Sequence, residues 1–254
     1  MVAPTPVSAL LHAVAVVKVG VFSIVRVLTG IFGVDLLGTF HLGTLVMVIA
    51  SITILVSSCI ALSQDELKRR LAFSTISQLS YIIFGVAMLS SMGQLGGVIH
   101  ILMHAFGKIT LFFCAGAIFV ATGKKYISQM KGLGRQMPVT FAAFFIGSLG
   151  VIGLPPTGGF YSKWHLILGT LEAGQTIFMV VLLISSFLNA CYFLPIVFQG
   201  FFGKPDDRLL DAPVSMQEAN LCLVVPLAVT ALASIALFFF PQMFVDLIVL
   251  GLNL

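Results

Sequence analysis

The stretch Leu95–Thr122, LGGVIHILMHAFGKITLFFCAGAIFVAT, holds a single charged residue, Lys108, with His104 and His100 four and eight positions before it. About 20 apolar residues in a helix cross about 30 Å of hydrocarbon, and a charge at that depth is costly unless something accommodates it. Residues four apart on a helix stack on one face, so His100, His104 and Lys108 form a ladder with rungs about 6 Å apart. Neutral imidazole donates from one nitrogen and accepts on the other, which suits the pair to relaying a proton through interposed water. Two structural readings stand beside this one: histidines satisfying backbone or hydroxyl groups in a packed bundle, and a lysine snorkelling to an interface. Zinc is disfavoured, since no Asp or Glu supplements the two histidines in this span.

Composition extends the reading to the whole chain. Of 254 residues, 59% are hydrophobic and only 9% charged, with 23 Phe. No water-facing globule of this size is built so, and the chain is expected to be an all-α polytopic membrane protein. The net charge of +4 does not indicate nucleic acid, because the few basic residues are scattered among long apolar runs. Cys59, Cys114, Cys191 and Cys222 lie within such runs without metal-like spacing and read as small hydrophobes. No cleavable signal peptide is evident, since Met1 leads through Pro4 and Pro6 directly into the first apolar run.

Seven spans are predicted, near 7–29, 40–62, 71–90, 95–122, 138–171, 174–202 and 221–240. The connections 63–70, 123–137 and 203–220 then share the face of the N-terminus. They carry Lys68, Arg69, Arg70, Lys124, Lys125, Lys131, Arg135, Lys204 and Arg208, nine of the thirteen basic residues. The opposite face has Arg26 at a helix end. The positive-inside rule puts the N-terminus in the cytoplasm and the C-terminus outside, in a cell inner membrane or plasma membrane. Lys18, Lys108 and Lys163 remain, each inside a span.

The fifth span is predicted to be discontinuous. Its sequence Gly153-Leu154-Pro155-Pro156-Thr157-Gly158-Gly159-Phe160 joins two residues without N–H donors to three that favour unwound backbone. Broken helices at membrane depth must be enclosed by protein or line a wet cavity, and they often form ion sites. A hairpin at the surface between two short helices is the alternative. Lys163 and His165 fall in the first turns after the break, near a partly positive helix end. A lysine there that alternates between charged and neutral forms is a usable proton store. The neighbouring Tyr161 and Trp164 equally suit an interfacial lysine.

In the first span, Lys18 lies six residues after His12, about 120° round the axis, so the two are neighbours in depth without sharing a face. Lys18 also suits a snorkelling role. Lys68, in Asp65-Glu66-Leu67-Lys68-Arg69-Arg70, is explained as well by a solvated helix start as by a site. None of the acids is central to a span: Asp35, Asp65, Glu66, Glu172, Asp206, Asp207, Asp211 and Glu218 fall at ends or connections, and Asp246 in the tail. Counter-ions for buried lysines must then come from another chain, bound anions or neutralisation, so the chain is expected to work in a complex. There is no phosphate loop, dinucleotide fingerprint, thiol set or haem motif, and neither cofactor, metal nor catalytic centre is expected.

Four stretches, APTPVSALLHAVAVVKVGVF from Ala3, SQDELKRRLAFSTISQLSYI from Ser63, HILMHAFGKITLFFCAG from His100 and GLPPTGGFYSKWHLILG from Gly153, are specific as a set. They resemble the antiporter-like membrane subunits shared by respiratory complex I, membrane hydrogenases and Mrp-type cation/proton antiporters, and look most like the Mrp D type. The resemblance implies two inverted five-helix repeats, each with a broken helix, about a hydrated polar axis. It assigns His12 and Lys18 to the first-repeat side of the axis and Lys68 to a link at a helix start. His100, His104 and Lys108 become the central relay and Lys163 the terminal station, with Gly153, Pro155, Pro156, Gly158 and Gly159 forming the break.

By this resemblance residues 1–29 match the last helix of an upstream repeat, 40–202 one five-helix repeat, 203–220 a cytoplasmic loop and 221–254 a final span with a short tail. The upstream helices, with the family's buried Glu and first broken-helix Lys, are expected from a separate chain. Other antiporter-like or small membrane subunits and lipids are the further expected partners; nucleic acid is not. The function expected is half of a split proton-translocating module. Two alternatives remain: an Na⁺/H⁺ exchange subunit drawing on Pro155-region carbonyls, Thr110 and Thr157, and a structural adaptor without conduction of its own.

Overall fold

The structure, a computed structural model, describes residues 16–204 and 218–252. Helix α1 (Val16–Arg26) passes through a π-helical stretch (Val27–Phe32) into α2 (Gly33–Thr39), so one continuous rod crosses first. Long helices follow in α3 (Leu42–Ser63), α4 (Leu67–Ala87) and α5 (Ser91–Thr122), and after a connection with a short α6 (Leu133–Gln136) comes the broken pair, α7 (Pro138–Ile152) and α8 (Gly158–Glu172). Helices α9 (Thr176–Phe202), α10 (Leu221–Phe239) and α11 (Gln242–Leu252) complete the described chain. Among the described residues six helical rods are long and apolar enough to cross a membrane, and α7 is a shorter apolar helix. Among the described residues the only β pairing is an isolated bridge between Glu66 and Tyr126.

Local sequence explains the boundaries. Ser90 caps α5 by accepting from the Gly93 N–H at 3.2 Å, and Gly123 ends the helix at φ 69°. Pro138 opens α7, where its missing N–H costs no helical bond. The acids near helix starts act as remote caps. Glu218 accepts from the Val139 N–H at 2.6 Å and the Thr140 hydroxyl at 2.7 Å, and Glu172 accepts from the Met92 N–H at 3.0 Å. Each carboxylate satisfies donors at the positive end of a helix dipole.

Three boundaries differ from the sequence reading. The first span does not stop near 29, so Arg26 lies inside the rod instead of at its end; Gly30 and Gly33 are accommodated by the π-helical turn and its exit. The third span begins at Leu67, which draws Lys68, Arg69 and Arg70 into its first turn. The tail after 240 contains α11, whose Val245 and Phe244 pack on Leu95, Ile99 and Met103.

Helix α5 is the hub, touching α4, α7, α8, α10 and α11. The basic connections meet at one end of the bundle. Asp65 accepts from Ser128 N and Oγ at 3.0 and 2.7 Å, and Arg135 donates to the Phe201 carbonyl at 2.9 Å. Arg70 donates to the carbonyls of Gln64 and, at 2.9 Å, Tyr192, tying the start of α4 to α9. Outward residues such as Val225, Val229 and Leu232 are exposed, as a lipid-facing surface requires.

Candidate functional site

The hub helix carries the ladder. His100, His104 and Lys108 are all buried, and the two imidazoles stack with centroids 5.7 Å apart and planes 21° apart, the spacing of one helical turn. His100 Nδ1 meets Ser162 Oγ at 2.8 Å and Nε2 meets Gln78 Oε1 at 3.2 Å. Ser162 Oγ itself donates to the Gly159 carbonyl at 3.0 Å, which leaves its lone pairs toward His100 Nδ1. Neither ring nitrogen of His104 has a hydrogen-bond partner among the described residues. Lys108 Nζ donates to the Leu71 carbonyl at 3.0 Å and to Ser74 Oγ, and lies 5.5 Å from the centre of the Phe193 ring.

Lys18 joins this set from α1. It is 7% exposed, its Nζ has no partner among the described residues, and it lies near enough to His100, His104 and Lys108 for their charges to interact. Snorkelling therefore does not describe its position. Lys68 stays apart: it is half-buried at the basic end of the bundle, its Nζ 5.7 Å from the Phe119 ring centre, with Lys125 on the same ring at 5.1 Å. His12 lies outside the described residues.

The break is confined to residues 153–157. Gly153 takes φ 87° and the Pro155–Pro156 peptide is cis, but Gly158 and Gly159 are the first helical residues of α8 and not part of the unwound backbone. Their role is close approach: a Cβ at Gly158 would lie 2.5 Å from Met103 Sδ, and one at Gly159 would collide with the Gly150 carbonyl. Lys163 folds back over the break. Its Nζ donates to the carbonyls of Val151 at 2.9 Å and Ile152 at 3.0 Å and to Ser186 Oγ at 3.1 Å, and sits 4.8 Å from the Tyr81 ring centre. The amino group thus faces the partly negative end of α7, not the positive start of α8 on which the sequence reading centred. His165 is turned away, its Nδ1 against the Tyr161 carbonyl at 2.8 Å. Thr110 and Thr157 are not gathered into one site: Thr110 pairs with Thr230 at 2.9 Å and Thr157 with the Leu154 carbonyl at 2.7 Å.

The sequence reading passed over the partners of these bases: Ser74, Gln78 and Tyr81 on α4, Ser162 on α8 and Ser186 on α9. A signal existed on α4, where Ser74, Thr75, Ser77, Gln78, Ser80 and Tyr81 crowd polar groups into a predicted span and all are buried. Among the described residues no group of three His, Cys, Asp or Glu is placed to hold a metal ion.

An all-helical, membrane-length bundle with one discontinuous crossing and buried bases is a multi-pass subunit of the antiporter-like fold. The family described as NADH:quinone oxidoreductase/Mrp antiporter, transmembrane, matches residues 1–189, and the chain belongs to it. Subunit N of the NADH-quinone oxidoreductase of Desulforudis audaxviator is 40% identical over 195 residues, 76% of this chain and 38% of that protein. Subunit L of the Escherichia coli K12 enzyme is 34% identical over 206 residues, 80% of this chain and 32% of that protein. A chain of the Mrp complex from Dietzia sp. DQ12-45-1b superposes with a TM-score of 0.84 at 26% identity, covering 96% of this chain and 52% of that one. A chain of the membrane-bound sulfane sulfur reductase, an archaeal respiratory membrane complex, does so at 0.86 and 26%, covering 99% and 49%. The chain therefore spans about a third of these curated relatives and half of these solved chains, all of which are subunits of multi-subunit membrane complexes.

Proposed function

We propose that this chain is half of a proton-translocating module in a larger energy-coupling complex. Protons pass from the basic end of the bundle to Lys108, on through His104 and His100, and out by way of Lys163. Lys18, with His12 beyond the described residues, feeds the same row from the other repeat, and Lys68 guides protons at the rim. By the positive-inside rule the basic end faces the cytoplasm, which puts the N-terminus inside and the C-terminus outside.

One observation carries the reading: His104 is buried with both ring nitrogens unpartnered, stacked on His100 and close to Lys18 and Lys108. Polar atoms in that condition are costly unless water reaches them, and water between bases is what a relay needs. Charge changes elsewhere in the complex shift protons along the row by electrostatic coupling. The module is completed by a further set of helices carrying a buried glutamate and another broken-helix lysine. Tagging the chain and identifying what copurifies establishes whether those helices form a separate polypeptide.

The test uses the membrane complex containing the chain, reconstituted in proteoliposomes with proton movement driven by a potassium diffusion potential and read by a pH dye. Lys108→Ala, still assembled, should lose most of the proton movement. Normal movement by that variant would remove the relay role and leave a structural adaptor. Dependence of the pH change on Na⁺ would favour exchange over simple proton translocation.

A further inference from the structure

The histidine row leaves a second set of buried polar groups unused. On α4, Ser74, Ser77 and Tyr81 recur at steps of three and four, and on α9 Ser185, Asn189 and Tyr192 do the same. Each of these six is fully buried, as is Ser58 of α3, which lies between the two stripes. Ser58 Oγ is 3.0 Å from Ser77 Oγ and 3.5 Å from Ser185 Oγ.

The ends of this row are Lys108 and Lys163. Lys108 Nζ donates to Ser74 Oγ, and on α9 the Tyr192 hydroxyl donates to Asn189 Oδ1. At the other end Ser186, next in the chain to Ser185, accepts from Lys163 Nζ at 3.1 Å, and the Tyr81 hydroxyl donates to the Leu182 carbonyl at 3.4 Å, one turn before these serines. Asn189 Nδ2 is buried without an acceptor among the described residues, a donor that calls for water, and water is what the two intervals without a direct hydroxyl contact, Ser74 to Ser77 and Ser185 to Ser186, require.

We propose that these hydroxyls form a second proton path from Lys108 to Lys163, parallel to the histidines and independent of them. The inference rests on the relay reading above and adds a branch to it. In each step one oxygen takes a proton on a lone pair while its own O–H bond breaks toward the next oxygen. The excess proton leaves the Lys108 ammonium and arrives on the neutral Lys163 amine. The intervening groups keep their composition and reset by rotation about their C–O bonds.

The same proteoliposome assay tests it with His100→Gln/His104→Gln as background. That double variant should retain measurable proton movement, and adding Tyr81→Phe and Ser185→Ala should reduce the remainder about tenfold or more at unchanged assembly. Putting Ser185→Thr in place of Ser185→Ala, with Tyr81 restored, should return the rate because the hydroxyl is kept; a packing role would not distinguish Thr from Ala in this direction. If the fourfold variant does not assemble, Ser58→Ala in the histidine background is read instead, with the same loss expected. The inference is overturned if the histidine double variant is as inactive as Lys108→Ala, or if removing the hydroxyls leaves its rate unchanged. Either result leaves the histidine relay intact, whereas normal movement by Lys108→Ala would remove the relay itself.

Discussion

Lys163 Nζ donates to the Val151 carbonyl at 2.9 Å across the helix break, so a side chain from one half-helix closes the backbone of the other. The last carbonyls of any helix lack intrahelical donors, and lipid cannot supply them. Lys163→Met keeps the length of the side chain and removes the donors. The expected result is a loss of about 1–3 kcal/mol, the scale of a buried acceptor left unpaired, read as a lower melting temperature of the assembled complex in detergent. An unchanged melting temperature would mean that something else already satisfies these carbonyls.

Gly153 positions that lysine. Its φ of 87° disfavours any side chain, and a Cβ there would lie 2.5 Å from Lys163 Cδ. Gly123 has a comparable φ of 69° but open space around it. Both Gly153→Ala and Gly123→Ala should lose about 1–2 kcal/mol through backbone strain. Only Gly153→Ala should also slow proton movement, because only there is a buried base pushed aside. Equal rates in the two variants would show that the seat of Lys163 does not matter to transport.

These two positions show what could be read from sequence and what could not. Gly153, Pro155 and Pro156 announce a break by themselves, because positive φ and missing donors act locally. The ladder of His100, His104 and Lys108 is equally legible, since helical periodicity fixes a shared face. The direction taken by Lys163 is not legible: a four-carbon stem can reach forward or back, and the choice is made by carbonyls eleven and twelve residues earlier. Ser58, Ser77 and Ser185 likewise carry no local signal of meeting, because they come from three helices whose packing depends on side chains elsewhere. The run of the first rod through Arg26 to Thr39 was hidden by Gly30 and Gly33, residues that usually end helices.

Glu218 separates stability from transport. It accepts from the Val139 and Thr140 N–H groups at 2.6 and 3.3 Å and from the Thr140 hydroxyl at 2.7 Å, at the start of α7. Glu218→Ala removes a charged cap from the positive end of that helix and should lower stability by about 0.5–2 kcal/mol. Proton movement per assembled complex should stay within about twofold, a change too small to mark a lost transfer step. A large loss of movement with the melting temperature intact would instead place this carboxylate on the conduction path.

His104 supplies the opposite pattern. Both its ring nitrogens are buried without partners among the described residues, while the ring stacks on His100 at 5.7 Å. His104→Phe preserves a stacking ring and removes two polar atoms that the fold itself does not satisfy. If the imidazole is kept for proton passage, the variant should be as stable as the parent to within about 1 kcal/mol, because no protein hydrogen bond is broken by the change. Proton movement should fall at the same time, with the remainder carried by the hydroxyl row. A histidine retained for packing alone would give the reverse, a destabilised bundle whose assembled fraction conducts normally. Measuring melting temperature and proton movement on one preparation distinguishes the two, since one reading requires loss of movement at retained stability and the other loss of stability at retained movement.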